Sequence, residues 1–491
     1  QTDQQRQLNM TVQQDLNNQS GQIAGLGDVR IHSTQLANQQ GTLQSAQQVM
    51  VESTDLNNQQ GMINAGTTVD LQSKHLDNSQ QGQIQSQGNV TIVSDVLKNS
   101  TGRILANKQV QLTSQTIDNQ SGQIASIAGK THLISDEVKN SQGVIQSNEL
   151  QLDTPNLDNT SGVILSKSSL VLNQQKEILN RAGIIQTGQD LTISSDSVDN
   201  DHGVLQSGGN LDIDVGKGTI SNRDSDTSLN LGGILSRGTI KLHAQNIDNT
   251  FGRIRADQNI LLDTRNTKNN NGQMTSANRL EVVGETLENT GTIEAQHVQL
   301  LQDKISNIGQ IYGHEDINIF VPILSNAGTI VTGKQLIWKG SQLLQTSTGS
   351  LWSGLDASGK FSQSGEIGLS ASDHIELQGQ AIADGQIQAT SAHVFNADHS
   401  QIIGQAIDLS SVEGDVSTAN AQVQAKDQLK LSAGQTLNNQ QGQLQANQVE
   451  LTGQTLNNQQ GQIVQLGQAG QNIHLAKINN AQGQIKTNAG D

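Results

Sequence analysis

A short phrase recurs along the chain at steps of about 20 residues, and it limits the fold more than any other feature. Its pattern is apolar-x-Asn-x-x-Gly-x-apolar-x-small, where the small residue is Ala, Ser, Thr or Gly; the copy from Leu56 to Ala65 is typical. Allowing slips of one or two residues, we count nineteen copies, sixteen from Asn18 to Asn326 and three at Asn439, Asn458 and Asn480. A period of this length is typical of a solenoid, in which each repeat packs on its neighbours.

The apolar residues within each period come in pairs two positions apart, as Ile104 and Ala106 or Val110 and Leu112 do. This spacing places both side chains of a pair on one face of a β-strand. The segments between glycines are too short for helices. We therefore predict an all-β chain folded as a parallel β-helix, with about 20 residues and three short strands per rung. About 24 such rungs, spaced by about 4.8 Å, would form a rod on the order of 110 Å long.

The Asn of the phrase lies two residues after an apolar residue, so its side chain should point inward, where a buried amide needs hydrogen-bond partners. Asparagines stacked in register could satisfy one another, as amide ladders do; a ligand site along the column is the alternative. We assign the Gly to a corner that needs positive φ, which glycine adopts without a Cβ clash. The predicted structural ladder comprises Asn18, Asn38, Asn58, Asn78, Asn99, Asn119, Asn140 and Asn159.

The residue between the apolar residue and the Asn should face solvent. Read from rung to rung, most charges at this position alternate in sign. Opposite charges at strand spacing attract weakly, by about 0 to 1 kcal/mol at a surface, whereas like charges repel. The alternation therefore indicates a solvated face and not an array of catalytic carboxylates. The column reads Asp77, Lys98, Asp118, Lys139, Asp158, Leu179 and Asp199, and later Asp248, Lys268 and Glu288.

Composition narrows the classes of function. Only 33% of the residues are hydrophobic and 1% aromatic, and the net charge is −17. These values lean toward disorder or a prion-like Gln/Asn tract, but the periodic apolar pairs and glycine corners favour the solenoid. The acidic balance argues against nucleic-acid binding, and no stretch of 18 apolar residues could span a membrane. Because residue 1 is Gln and no apolar leader follows, we expect a processed form or a fragment.

The regular repeat is disturbed at three places. Asn222 and Gly232 are ten residues apart where three is usual, and we expect the polar residues 223–230 to form an exposed loop. One corner residue is missing in the copies ending at Gly309 and Gly328, and no copy occurs between Asn326 and Asn439. We therefore predict a regular β-helix over 1–335 and regular repeats over 436–491. Between them we predict a variant segment over 336–435, with a loop excursion at 340–365 and degenerate rungs.

Six of the seven aromatic residues fall in or just before this variant segment. Exposed aromatic side chains are typical anchors of binding sites; the alternative is that they pack the excursion onto the coil. Three histidines also lie close together in the sequence. A metal site needs three or four converging ligands, which this loose spacing does not indicate, so we expect no metal and no cofactor. The candidate receptor-binding residues are Tyr312, Trp338, Trp352, Phe361, His374, His393, Phe395 and His399.

An enzyme is the alternative class, because parallel β-helices include polysaccharide lyases, hydrolases and tailspikes. Such sites need clustered carboxylates with a base or a cation nearby. Asp212 and Asp214 share one strand face, but the repeat provides them with no basic partner. We therefore expect no enzyme, and a polysaccharide-binding or polysaccharide-cleaving β-helix remains the second hypothesis.

The phrase, in copies such as Leu456 to Ile463, resembles the haemagglutinin repeat of filamentous haemagglutinins and the stalk repeats of contact-dependent growth inhibition exoproteins. The resemblance covers residues 1–335 and 435–491. It implies a right-handed parallel β-helix, secreted to the outer surface of a Gram-negative bacterium by an outer-membrane transporter of the two-partner secretion type. The chain contains no Asn-Pro-Asn-Gly secretion signature near its start and no Arg-Gly-Asp.

The resemblance also implies a function. It suggests a structural stalk or adhesin segment of a large exoprotein, with a receptor-binding region after the first repeat array. The variant segment fits that position, so the expected partners are the transporter and a protein or glycan receptor on another cell. We expect a monomeric rod that binds no nucleic acid. The chain ends in a repeat without a toxin-like tail, so we expect a stalk section, from either an adhesin or a toxin-delivery exoprotein.

Overall fold

The computed structural model describes residues 7–173, 176–225, 232–355, 360–361 and 364–488. Within these residues the regular structure consists of β-strands alone, which pair in parallel with strands about one repeat earlier and later in the chain. The chain divides into two compact units, residues 1–248 with 252–254 and residues 249–251 with 255–491. The predicted all-β parallel β-helix is therefore confirmed, and the boundaries predicted near 335 and 435 lie inside the second unit.

The strands of the first unit follow one another at short intervals. They are Leu8–Thr11 (β1), Asp15–Asn17 (β2), Gln22–Gly25 (β3), Val29–Ala37 (β4), Thr42–Ser45 (β5), Gln48–Asn57 (β6), Met62–Ala65 (β7), Thr68–Asp77 (β8), Gln83–Ser86 (β9), Asn89–Val93 (β10), Val96–Lys98 (β11), Arg103–Ala106 (β12), Gln109–Asp118 (β13), Gln123–Ser126 (β14), Lys130–Lys139 (β15), Val144–Ser147 (β16), Glu149–Asp153 (β17), Leu157–Asp158 (β18), Val163–Ser166 (β19), Leu170–Asn173 (β20), Glu177–Leu179 (β21), Ile184–Thr187 (β22), Leu191–Ser194 (β23), Ser197–Asp199 (β24), Val204–Ser207 (β25), Leu211–Asp214 (β26), Thr219–Ser221 (β27), Gly233–Ser236 (β28) and Ile240–Asp248 (β29).

The next strand, Arg253–Ala256 (β30), contains residues of both units. The remaining strands belong to the second unit. They are Asn259–Asn269 (β31), Gln273–Ser276 (β32), Arg279–Asn289 (β33), Thr292–Leu301 (β34), Lys304–Asn307 (β35), Gln310–Phe320 (β36), Ile323–Asn326 (β37), Thr329–Thr332 (β38), Gln335–Gln345 (β39), Ser350–Ser353 (β40), Glu366–Leu377 (β41), Gln380–Ala383 (β42), Gln386–Ser391 (β43), Val394–Asn396 (β44), Gln401–Ser411 (β45), Val416–Ser417 (β46), Gln422–Ala433 (β47), Thr436–Asn438 (β48), Gln443–Ala446 (β49), Gln448–Thr452 (β50), Thr455–Asn457 (β51), Gln462–Gln465 (β52), Asn472–His474 (β53), Lys477–Asn479 (β54) and Gln484–Thr487 (β55).

A regular rung consists of three strand segments, such as β10, β11 and β12. In other rungs the first two segments join through a bend into one longer strand, as in β13. The register keeps equivalent residues together, since Val90 lies beside Val69 of one neighbouring rung and Val110 of the other. These alternate side chains point inward and are 0% exposed. The narrow interior is therefore filled by medium-sized aliphatic side chains, and few aromatic residues are needed.

The asparagines of the phrase form a buried column in the first unit. Asn58 Nδ2 donates to Asn78 Oδ1 at 2.7 Å and to the carbonyl oxygen of Gly61, in its own corner, at 3.3 Å. Each amide thus serves as donor to one rung and acceptor from the other, which satisfies polar groups that would be costly to bury alone. The amide-to-amide bonds link Asn18, Asn38, Asn58, Asn78, Asn99, Asn119, Asn140, Asn159, Asn180, Asn200 and Asn222.

Two further runs of the column lie in the second unit. The first contains Asn249, Asn269, Asn289, Asn307 and Asn326. The second contains Asn439, Asn458 and Asn480. Between Asn326 and Asn439 the same position is occupied by Gln345, Leu377, Ala397 and Thr418, each at most 2% exposed. The column there changes from an amide ladder to a mixture of two polar side chains, Gln345 and Thr418, and two apolar ones, Leu377 and Ala397.

The corner glycine is required for a different reason from the one predicted. In the regular corner the positive φ belongs to the residue before the glycine, such as Gln60 with φ 56°. A Cβ on Gly61 would lie 2.2 Å from the carbonyl oxygen of Asn38 in the adjacent rung and 2.6 Å from Asn58 Oδ1. The absent side chain therefore lets two rungs approach closely at the ladder, and the prediction that the glycine itself needs positive φ is wrong.

The shortened corners of the second unit have another geometry. In a regular corner Gly61 N donates to Asn58 O at 3.0 Å, within the same turn. In the shorter corner Gly309 N donates instead to Asn289 O of the preceding rung, also at 3.0 Å. No described residue from 289 to 328 has positive φ. Losing one residue therefore replaces the left-handed turn by a direct bond between rungs.

The alternating charges lie in register on the outward face, as in the run Asp77, Lys98 and Asp118. Asp199 departs from the predicted solvent exposure, because it is only 6% exposed and Arg181 Nε donates to its Oδ2 at 2.5 Å. The guanidinium group supplies the hydrogen bond that a covered carboxylate needs. The charge column is thus solvated over most of its length and covered at this rung.

The enlarged corner after Asn222 is only partly described, since residues 226–230 lie outside the described residues. Arg223 pairs with Asp201, with Nη2 and Oδ2 separated by 2.6 Å. Ser225 is 0% exposed, and its Oγ accepts from Arg253 N at 3.1 Å. The prediction of an exposed loop over 223–230 is therefore wrong for Ser225, which packs into the wall of the coil.

The predicted loop excursion at 340–365 is wrong in its first part. Residues up to Gln345 belong to β39, and Ser350–Ser353 form β40. Leu343 and Leu351 point into the core, at 0% and 1% exposed. The Ser- and Gly-rich sequence up to Ser353 still keeps inward leucines at strand spacing. Among the described residues, the strands of the rungs stop at Ser353 and resume at Glu366.

Candidate binding surface

Two of the predicted receptor-binding residues belong to the core. Trp338 is 1% exposed and Phe395 is 0% exposed. Trp338 points inward from β39, and a Cβ on Gly340 would lie 2.7 Å from its Cζ2 atom, so the glycine leaves room for the indole. These positions follow the inward alternation of their strands. The prediction that Trp338 and Phe395 contact a receptor is therefore wrong for the folded chain.

Phe361 lies in the short departure from the rungs. Its backbone forms an isolated antiparallel bridge with Leu355, and its side chain is 45% exposed. Leu355 is 7% exposed and rests on the coil. Residues 356–359 and 362–363 lie outside the described residues. The described residues between β40 and β41 therefore present one aromatic side chain, that of Phe361.

The three candidate histidines occupy two separate places. His374 Nδ1 lies 3.2 Å from Asp373 Oδ2, which also accepts from Gln342 Nε2 at 2.9 Å. The Gln342 amide, then His374 and the nearby His393, hold the pKa of Asp373 below its usual value. His399 lies in a corner of its own, with φ 62°. The described residues contain no group of three or more side chains that could hold a metal ion.

The two remaining candidates, Tyr312 and Trp352, share an outward column that crosses strands β36, β38, β40, β42 and β45. The column is apolar over five consecutive rungs, and all five side chains are half-buried. We call this column the outer stripe. It consists of Tyr312, Val331, Trp352, Ile382 and Ile403.

A second outward column runs beside the outer stripe, two residues earlier on each strand. Its side chains carry amide or hydroxyl groups and no charge. We call it the neutral column. It consists of Gln310, Thr329, Ser350, Gln380 and Gln401. Within this column, Gln380 Nε2 donates a hydrogen bond to Gln401 Oε1 at 3.1 Å.

The same outward position in the first unit differs in character. There it alternates among small, amide and isolated leucine side chains, and no more than two apolar residues follow one another in its described part. The sequence of that column is Ala24, Gln44, Asn64, Gln85, Leu105, Ala125, Gln146, Leu165, Gln186, Gln206 and Leu235. The outer stripe is therefore specific to the rungs that contain β36 to β45, which we call the variant rungs and which begin before the predicted variant segment. It is not a general property of the repeat.

The aromatic rings of the outer stripe are held by their neighbours. Tyr312 packs edge-on against His314, with ring centroids 4.3 Å apart, and His314 Nε2 lies 2.9 Å from Glu294 Oε1. Trp352 Nε1 is buried without a hydrogen-bond partner among the described residues. The exposed part of Trp352 is consequently its carbon surface. A ligand on the outer stripe would meet apolar ring atoms before it met a polar group.

Sequence reasoning found the two aromatic residues of the outer stripe but missed Val331, Ile382 and Ile403. A signal was present, because each is the residue immediately after an inward apolar or small residue of a short strand. Comparing that single position from rung to rung would have shown the apolar run. A prediction based on aromatic residues alone could not separate the side chains that point inward from those that point outward.

The paired carboxylates considered for catalysis lie in the first unit. Asp212 and Asp214 both point outward from β26, in register with Lys241 and His243 of β29. The prediction that they have no basic neighbour is therefore wrong. They lie on an open strand surface, where neighbouring opposite charges stabilise the stacking of rungs.

A sequence model of the haemagglutinin repeat matches residues 3–55, 51–104, 98–135, 135–176, 172–225, 215–306, 375–415 and 411–491. The chain belongs to the haemagglutinin-repeat family. The matched stretches of this haemagglutinin-repeat chain leave out residues 307–374, which contain Tyr312, Val331 and Trp352. Most of the outer stripe therefore lies where the sequence departs from the family pattern.

One relative of this haemagglutinin-repeat chain is described as Toxin CdiA of Yersinia pestis. The two are 30% identical over 156 residues, which is 30% of this chain and 5% of the toxin. The chain thus spans about a twentieth of that relative's length. No solved structure gives a significant match. Among the described residues, no helix is long and apolar enough to cross a membrane.

Proposed function

We propose that this chain is a structural and adhesive stalk segment of a large secreted exoprotein, and that the outward face of its variant rungs contacts a receptor on another cell. The observation that carries the structural part is the buried amide ladder, repeated from rung to rung with donor–acceptor distances of 2.6 to 2.8 Å in the first unit. The stability of such a core comes from the stacking of similar rungs on one another. A chain built this way can be extended by adding rungs.

The adhesive part of the proposal is supported by the outer stripe. Large side chains that remain partly exposed are preferred anchors for partners. Tyr312 and Trp352 are predicted aromatic anchors that the fold leaves partly exposed on a strand face, and they lie in the stretch outside the family match. Local departures from the repeat pattern often form the binding surface of a solenoid.

Secretion and location are proposed from the family. The haemagglutinin repeat and the similarity to Toxin CdiA support a secreted exoprotein exposed at the cell surface. We propose that an outer-membrane transporter of the two-partner secretion type exports the parent protein. The chain has no cysteine, so its stability at the surface would depend on rung stacking and not on disulfides.

An adhesion experiment tests the proposal. Fluorescent beads coated with the purified chain are incubated with bacterial cells and with cultured epithelial cells, and bound beads are counted. We expect Trp352→Ser, alone and with Tyr312→Ser, to reduce binding to the level of uncoated beads. The matched control is Phe251→Ser, because Phe251 is an aromatic side chain that is 52% exposed outside the variant rungs.

Both variants change outward side chains, so the far-UV circular dichroism should be that of the parent chain. Adhesion equal to the parent in the folded double variant would remove the adhesive part of the proposal. Equal loss with Phe251→Ser would show that binding is a general effect of surface hydrophobicity. A loss confined to Trp352 and Tyr312 would support the assignment of the outer stripe.

A further inference from the structure

The outer stripe and the neutral column together define the chemistry of a ligand. We infer that this ligand is a neutral, linear glycan, lying along the stripe with sugar rings against Tyr312 and Trp352. The inference rests on the proposed adhesive role of the variant rungs and names the chemical class that the surface would recognise. It is carried by the shape, the charge and the available hydrogen-bonding groups of the two columns.

The size of the surface favours a narrow ligand. Five rungs at about 4.8 Å extend over roughly 19 Å, and two outward columns on one strand are about 7 Å apart. Their product is roughly 130 Å², whereas a stable protein partner typically covers about 800 Å² on each side. A protein would have to extend onto the charged corners beside the stripe, where Glu315, Lys334 and Asp384 lie. A chain of a few sugars would be covered by the two columns alone.

The chemistry of the two columns matches both the faces and the edges of a sugar ring. A pyranose ring presents polarised C–H groups on its faces, which are attracted to the negative face of an aromatic ring. Its edges carry hydroxyl groups, which both donate and accept hydrogen bonds. The neutral column offers amides and hydroxyls that do the same, and neither column carries a charge between Gln310 and Ile403. A strongly anionic ligand would find no countercharge in either column.

The backbone of this face is not available to a peptide. A peptide strand that joins a sheet needs unpaired N–H and C=O groups at an edge. The strands that carry the outer stripe are paired on both sides, for example β40 with β38 and with β42. A ligand here can use side chains only. The stripe repeats one contact per rung along a straight line, which suits a polymer with its own short repeat.

The decisive test uses cells that bind the chain in the adhesion experiment. Mild periodate cleaves the carbon–carbon bonds of vicinal diols in glycans and leaves most protein surfaces intact. We expect periodate-treated cells to lose bead binding, and proteinase K treatment to leave binding unchanged if the glycan is attached to lipid. Internal units of chitin-like glycans carry no vicinal diol and resist periodate, so soluble chitohexaose is also tested as a competitor of bead binding. Full binding after periodate, together with no competition by chitohexaose, would overturn the glycan inference while the adhesive proposal stood.

A direct measurement complements the cell assay, since the chain contains two tryptophans and Trp338 is shielded at 1% exposed. Acrylamide quenching therefore reports mainly on Trp352. We expect cellohexaose, chitohexaose or the neutral glycans released from the bound cells to reduce quenching, and a heparin hexasaccharide to have no effect. Tyr312→Ser should weaken binding in this assay on the order of tenfold, as removal of a stacked aromatic side chain does. Trp352→Phe removes the fluorescent reporter, so its binding is measured by isothermal titration calorimetry, and we expect it to be kept.

The matched control is Ile184→Ser. Ile184 belongs to an outward aliphatic run of the first unit, Val144, Val163, Ile184 and Val204, which has no aromatic ring. Sugar binding should not change in this variant. Failure of every neutral sugar to protect Trp352 would overturn the glycan inference, even if the outer stripe variants abolish adhesion. Sugar binding without any cell adhesion would instead sustain the site and remove the adhesive proposal.

Discussion

Replacing one asparagine inside the ladder provides the sharpest test of what holds the rungs together. Asn119 is 0% exposed and lies between two partners. Its Nδ2 donates to Asn140 Oδ1 at 2.7 Å, and its Oδ1 accepts from Asn99 Nδ2 at 2.7 Å. In Asn119→Ala the Asn140 oxygen loses its amide donor, whereas Asn99 still donates to the carbonyl oxygens of Gly102 and Gln123.

The expected cost follows from these contacts. An orphaned buried acceptor costs about 1 to 3 kcal/mol, and the lost Asn99 bond adds about 0.5 to 1.5 kcal/mol. The void left by the amide adds to this, so we expect a loss of about 2 to 5 kcal/mol in local stability. Because each rung contacts only its neighbours, the loss should be confined to the rungs around the substitution.

Native-state hydrogen exchange measures this local opening. A loss of about 2 to 5 kcal/mol corresponds to exchange faster by roughly 30-fold to 4,000-fold in peptides covering residues 109–147. The control is Gln120→Ala, an exposed amide in the same corner, for which a surface substitution should change exchange by less than about threefold. If Asn119→Ala matched this control, the ladder would not be a principal source of rung stability. If exchange rose along the whole chain, the nearest-neighbour picture would be wrong.

Three further predictions concern a corner and two carboxylates. Gly122→Ala places a Cβ 2.2 Å from Asn99 O, so we expect about 2 to 4 kcal/mol of local destabilisation and faster proteolysis of the corner, whereas Gly470→Ala, with nothing within 4 Å, should have no effect. Burial alone would raise the pKa of Asp201, but the bonds from Arg223 and Ser221 outweigh it and the net shift is downward. The pair of Asp201 and Arg223 therefore stabilises the fold above the unfolded pKa of about 3.9 and loses this effect as the pH falls through the lower folded pKa. Arg223→Gln should lower the melting temperature at pH 7, with a smaller difference in strong acid. An equal difference at the two pH values would contradict this coupling between protonation and stability. Burial raises the pKa of Asp70, so its charge costs stability at neutral pH. Asp70→Asn should therefore raise the melting temperature at pH 7 but not below about pH 4. The same gain at the two pH values would mean that burial of the charge is not the cause.

Much of the core could be derived from the phrase itself. The spacing of two predicts strands and the recurrence predicts stacking. An Asn on the inward face is buried and needs partners, and the next Asn in register is available to it as one. These arguments depend on local geometry and on burial, which are the same in every rung. For Asn58 and Asn78 they give the arrangement that the structure has.

The corner glycine shows where local reasoning is insufficient. Positive φ is a property of one residue and can be anticipated from composition. The constraint on Gly61 comes instead from the backbone of the adjacent rung, 2.2 Å from where a Cβ would be. The contact joins residues more than twenty positions apart. Only the separation between rungs, which the tertiary structure sets, reveals it.

The aromatic residues illustrate a second limit. Trp338 and Trp352 are the same residue type in the same segment, but one is 1% exposed and the other is half-buried on the outer face. The difference depends on strand register, because a shift of one residue moves a side chain to the opposite face. Where the Asn–Gly corner is absent, the sequence provides no marker of that register. The predicted site therefore mixed core and surface residues.

The amino-acid sequence by itself determined that the chain is an all-β solenoid, with its period, its inward asparagines and the point at which the ladder lapses, because each of these follows from a pattern repeated many times. Only the tertiary structure decided which variant residues reach the surface, since that depends on how each strand is registered on the rung beside it. It also assembled the outer stripe, because Tyr312, Val331 and Trp352 are about twenty residues apart along the chain and become neighbours only when parallel strands stack.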